Sequence, residues 1–237
     1  MNRDEIISYS KLRAFIGITG IILPVVAVLG CYLKGAQEAS FQESISHYYY
    51  SKMHIIFTGV LCVLGGFLIT YKGKDKWESR LSNLAGFCAF GIATCPTEFS
   101  GFIQNHNADN IYLLICDAVT EGWGKIHFAF AGLLFACFVV FCLYFFQEPD
   151  NPKQDMNDVK FKRRKMIYKI SGWTIVISIV LIAVFSIWPS LKHGIFKYST
   201  FIFETSSLWA FGTSWLVKGS KSMAHVPVLK NIIEPIR

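Results

Sequence analysis

Six long apolar stretches, almost empty of ionisable side chains, limit this chain more than any motif it holds. They are Ala14–Leu33, His54–Tyr71, Leu84–Cys95 (extended to about 81–99), Ile126–Phe146, Ile170–Pro189 and Tyr198–Val217. A helix rising 1.5 Å per residue needs about 20 residues to cross about 30 Å of hydrocarbon, and most of these stretches reach that length. The expected fold is all-α, a polytopic transmembrane bundle of six helices in one domain. Composition agrees: 16% of residues are charged, against about 25% in soluble domains. The third stretch is short, and its centre NLAGFCAFGIAT reads as a thin helix in close contact with its neighbours.

The Lys and Arg residues set the orientation. Lys34, Lys52, Lys125, Lys192 and Lys197 fall in connections on one side, and the other eighteen of the 23 fall on the other side with both termini. Basic residues of short loops stay cytoplasmic, so both termini are expected inside, in a bacterial inner membrane. The net charge of +7 is then a topology signal, and no soluble basic domain exists to serve nucleic acid. The motif VLGC ending at Cys31 loosely resembles a lipoprotein cleavage box, but the run before it has membrane-spanning length and is read as an anchor. The outer segment 96–125 carries NIYLLICDAV, too short to span and expected to be re-entrant or interfacial, with GWG at 122–124 breaking it before the fourth span.

The segment SISHYYYS lies where the first outer loop enters the second span. Tyr48, Tyr49 and Tyr50 suit an aromatic belt at headgroup level. On a helix Ser46, Tyr50 and His54 share one face at i, i+4, i+8, and a polar stripe there is expected to face protein or water. His127, Asp117, Glu121 and Glu98 belong to the same side, as does Glu204, about a third of the way into the sixth span. A carboxylate inside a bundle costs a few kcal/mol and is a functional candidate; its bland reading is a hydrogen bond that fixes packing.

Several chemistries fit this set. Ser46, His47, Tyr50, His54, Asp117, Glu121, His127 and Glu204 are the candidate ligand-binding or proton-coupling residues. His47, His54, His127 and Glu204 are weak zinc candidates, since neither HExxH nor HxxxH occurs. A relay built on Glu204 and His127 needs fewer coincidences. A Ser46–His127 nucleophile pair is weaker, because nothing marks an oxyanion hole. Cys95 and Cys116 are a chemically permitted disulfide if the outer compartment is oxidising.

The blocks SISHYYYS, NLAGFCAFGIATCPT, HFAFAGLLF and ETSSLWAFGTSWLVKG resemble a family of small bacterial inner-membrane proteins similar in layout to the DRAM-like six-helix superfamily. The resemblance covers roughly residues 44–219. It implies a six-helix bundle with both termini inside and tilts the reading towards lipids, through eukaryotic relatives linked to lipid remodelling; it carries over no catalytic residue. Three functions are therefore open. One is binding or modification of a lipid or other amphiphile at an outward-facing polar pocket. Another is a proton-coupled permease using Glu204 and His127. The last is a non-catalytic partner subunit, in a homo- or hetero-oligomer, packing through GVLCVLGG and NLAGFCAFG.

Overall fold

The computed structural model describes residues 3–33, 41–97, 121–149 and 159–223. Their regular structure is entirely helical: α1 (Arg3–Leu33), α2 (His54–Thr70), α3 (Lys76–Thr94), α4 (Glu121–Leu143), α5 (Val159–Ile187) and α6 (Ser199–Met223), with short 3-10 turns between. Three helical segments, Ser10–Leu33, Gly122–Gln147 and Val159–Ile187, are long and apolar enough to cross a membrane, and α2 is a shorter apolar helix.

Several boundaries depart from the apolar runs, each for a local reason. The third helix starts at Lys76, ahead of Leu81, because Asp75 caps it: its Oδ1 accepts from the Trp77 and Glu78 amides at 2.7 and 2.8 Å. Such a cap is worth about 1 kcal/mol. The helix stops at Thr94, because Cys95 precedes Pro96 and takes an extended conformation (φ −101°, ψ 107°). GWG at 122–124 is itself helical, both glycines lying in the first turn of α4; NIYLLICDAV, expected to be re-entrant or interfacial and to end there, lies outside the described residues. The KFKRRK run is likewise helical, within α5.

Each helix packs on its neighbours in sequence, and α6 closes on α1, so the six form a ring. The α1–α6 seam is the closest. A Cβ at Gly17 would stand 2.6 Å from the Gly212 carbonyl oxygen, and one at Gly212 would stand 2.5 Å from that of Gly17. Gly65 and Gly86 bring α2 and α3 together in the same way. Aromatic rings fill the interior. Phe138 and Phe211 stack at 3.5 Å between centroids, and Trp215 meets Tyr71, Phe141 and Phe146 at 4.9, 5.4 and 5.4 Å. All six side chains are fully buried. Aromatic pairs add about 1 kcal/mol each beyond area burial.

One end of the ring carries a buried polar network. Arg13 Nη2 donates to the Tyr71 hydroxyl at 3.1 Å, and that hydroxyl donates to Glu78 Oε1 at 2.8 Å. Glu78 Oε2 accepts from the Lys74 amide at 2.7 Å. A carboxylate 1% exposed is tolerable only with such partners.

Close glycine seams make a selective prediction. Gly17→Leu and Gly212→Leu should lower the melting temperature of detergent-solubilised protein by roughly 5 °C or more, the scale of overpacking by 1–3 kcal/mol. Gly59→Leu should leave it nearly unchanged, since a Cβ there meets nothing within 4 Å. Differential scanning fluorimetry decides; equal effects at the three positions contradict the seam.

Candidate functional site

At the end of the ring away from Arg13 and Glu78, the segment 44–51 forms a 3-10 turn (Ile45–Tyr50) ahead of α2. Ser44 begins it, its Oγ accepting from the His47 amide at 3.2 Å, and Ser51 ends it, its hydroxyl donating to the Tyr48 carbonyl at 2.8 Å. The three tyrosines are not a surface belt: Tyr48, Tyr49 and Tyr50 are all buried. Nor do Ser46, Tyr50 and His54 share one helical face, because only His54 belongs to α2. A 3-10 turn advances about 120° per residue instead of 100°, so the three side chains reach different partners.

Those partners fasten the turn to several elements. Glu204 of α6 accepts the Ile45 amide on Oε2 at 2.6 Å. One residue along, Ser46 Oγ lies 2.9 Å from His127 Nε2 of α4. The Tyr50 hydroxyl donates to the Thr97 carbonyl at 2.6 Å, and His54 Nδ1 meets the Tyr49 carbonyl. Just upstream, the Glu43 carbonyl accepts from the Phe201 amide at 2.9 Å.

His127 is 1% exposed, and both its nitrogens are engaged. Nδ1 lies 2.7 Å from the Cys95 carbonyl oxygen. A carbonyl only accepts, so Nδ1 carries the hydrogen and Nε2 accepts from the Ser46 hydroxyl. The Cys95 carbonyl is available because Pro96 ends α3 and the last helical carbonyls lose their intrahelical donors. Glu204 and His127 thus do not bond each other; the Ile45–Ser46 dipeptide stands between them. Among the described residues no group of three or more His, Cys, Asp or Glu is placed to hold a metal ion. Of the zinc candidates, His127, His54 and Glu204 each bond a different part of the turn or its flanks. Asp117, Glu98, Cys116 and the side chain of Glu121 lie outside the described residues, and with them the disulfide partner of Cys95.

His47 has the distinctive electrostatics. Burial above all, with His127 and then Lys192 acting in the same direction, lowers its pKa from 6.5 to about 4. Lys197 pairs with Glu43 at 3.7 Å, but both are about half exposed, and such a pair contributes little.

A second feature opens beside the turn. Between α1 and α2, which touch more sparingly than the other neighbours in the ring, runs a groove of about 320 Å³. Ile18, Ile22 and Val26 form one wall; Ile55, Gly59 and Val63 form the other. Thr19, its one hydroxyl-bearing residue, donates to the Phe15 carbonyl at 2.7 Å and leaves the lining apolar. The lining residue nearest in sequence to the 44–51 turn is Ile55, the residue after His54.

Residue types indicated His127, Glu204 and Ser46, but not the acceptors on Cys95, Thr97 and Tyr49, which are main-chain carbonyls with no side-chain signature. Only Pro96 marked where carbonyls would come free. No protein-family model, curated protein or solved structure matches the chain.

Two substitutions test this geometry. Glu204→Ala leaves the buried Ile45 amide without its acceptor, at about 1–3 kcal/mol, whereas Glu204→Gln keeps an amide oxygen in place. Thermal melts should therefore rank wild type and Gln together, with Ala well below. For His47 the unfolded chain binds a proton below pH 6.5 and the folded chain only below about 4, so stability falls as pH drops through that window. The loss reaches about 3 kcal/mol. Melting scans from pH 7 to 4 should show a descent that His47→Gln flattens; an unchanged slope would remove His47 as its source.

Proposed function

We propose that the protein holds a lipid or other amphiphile at the outer face of a bacterial inner membrane, its acyl chain in the α1–α2 groove and its headgroup against the 44–54 segment. In this reading all six helices cross the membrane and both termini are cytoplasmic. The ring of sequence neighbours, in which α2 and α3 are joined by residues 71–75 alone and so run antiparallel, supports that topology. So does the bunching of Lys72, Lys74, Lys76 and Arg80, and of Lys160 to Lys165, at one end.

The observation that carries the reading is the apolar groove between α1 and α2, whose lining reaches Ile55 in the first turn of α2, just after the polar turn. Lipid tails are as apolar as leucine, so a chain gains little by leaving the bilayer for a groove. Selection must come from the headgroup, and the turn ahead of α2 offers polar groups for it: the hydroxyl of Ser46, the His47 ring and, acting on His47, the Lys192 ammonium. That positive charge favours a phosphate-bearing headgroup. The aromatic filling of the ring around Trp215 leaves the permease reading without a specific observation to favour it.

Mass spectrometry of gently purified protein tests the proposal. One phospholipid class should be enriched over the bulk membrane, and Gly59→Phe, which adds its ring in open space within the groove, should lower that lipid at least tenfold without lowering the melting temperature. Equal lipid content in the two proteins, or no enriched class in the wild type, overturns it.

A further inference from the structure

We propose that Ser46 is a nucleophile activated by His127, which accepts the acyl group of an ester-linked amphiphile; the substrate class rests on the lipid reading above. Three of the serines near the turn can be compared directly. Ser44 and Ser51 hydrogen-bond the backbone of their own turn, which is what serines in turns ordinarily do. Ser46 does not. Its hydroxyl meets an imidazole 81 positions away, on another helix, at 2.9 Å.

That imidazole is held as a general base must be held. The Cys95 carbonyl at 2.7 Å keeps the hydrogen on Nδ1 and the lone pair of Nε2 on Ser46. Hydroxyl, imidazole and orienting acceptor follow one another in the order that activates a serine, with a main-chain carbonyl in the third place. His127 is buried while Ser46 is half-buried, so the base is fixed and the nucleophile can be reached. The groove that would carry the acyl chain is lined by Ile55, on the helix that follows the turn.

In the reaction Ser46 Oγ attacks the ester carbonyl carbon as its proton passes to His127 Nε2. The carbon–alkoxy bond breaks, and the proton goes on to the departing alkoxide oxygen, releasing an alcohol and leaving an acyl-serine. Water, deprotonated by the same Nε2, then cleaves the acyl-serine to a carboxylic acid and restores the hydroxyl. The amides flanking Ser46 are already engaged, Ile45 with Glu204 and His47 with Ser44. They form no oxyanion hole, a device worth about 10²–10³ in rate, so acylation is expected to be slow.

The test is incubation of purified full-length protein with an alkyl fluorophosphonate over hours, followed by peptide mass spectrometry and, in parallel, lipid analysis of the same sample. A phosphonyl adduct on Ser46, absent in Ser46→Ala and formed about 100-fold more slowly in a folded His127→Gln, supports the proposal at the scale of general-base catalysis. Melting curves identify which variants are folded. If His127→Gln does not fold, the wild-type pH profile replaces it, and labelling must fall as the imidazole is protonated. No adduct on Ser46, or an adduct only on another serine, overturns the proposal even where the enriched lipid is present. An adduct on Ser46 without any enriched lipid supports the nucleophile and removes the groove as its source of substrate.

Discussion

The arrangement at one end of the ring depends on a short 3-10 turn whose polar groups are satisfied from outside it. Glu204 accepts the Ile45 amide, His127 accepts the Ser46 hydroxyl, and the Thr97 carbonyl accepts the Tyr50 hydroxyl. The three partners lie on α6, on α4 and just beyond α3. Where water is scarce, each such bond avoids the cost of an unmade one, which exceeds what a bond in water contributes. The turn therefore joins helices that the ring order places apart.

The opposite end uses the same principle with charges. Arg13, Tyr71 and Glu78 come from α1, from the residue after α2, and from α3, and their hydrogen bonds close around a carboxylate that is almost fully buried. Between the two ends the ring is filled by Trp215 and the phenylalanines about it. The ionisable members of these networks lie toward the two ends, while hydroxyls such as Ser207 and Ser214 are buried between them. The groove between α1 and α2 lies outside this packing, where the ring's thinnest seam leaves Gly59 uncovered.

Much of this was legible in the order of residues. Helical character followed from the apolar runs, and Glu204 and His127 stood out as ionisable groups in places that penalise them. Glu204 bonds the Ile45 amide and not His127, its partner in the expected relay. The tyrosines misled, because an amphipathic ring suits a lipid interface and a buried turn equally well. The supposed stripe of Ser46, Tyr50 and His54 failed for a different reason: 3-10 and α geometry differ by about 20° per residue, enough over a few residues to send neighbours to different helices.

Sequence by itself determined the helical class, the apolar runs and the residues too polar for their surroundings, because solvent preference and periodicity are properties of local chain. Only tertiary structure decided that Ser46 meets His127, that the Cys95 carbonyl orients the imidazole, and that α1 and α2 leave a groove while α1 and α6 close through Gly17 and Gly212. These depend on atoms tens to hundreds of positions apart, and on main-chain carbonyls that every residue carries alike. No residue type announces them.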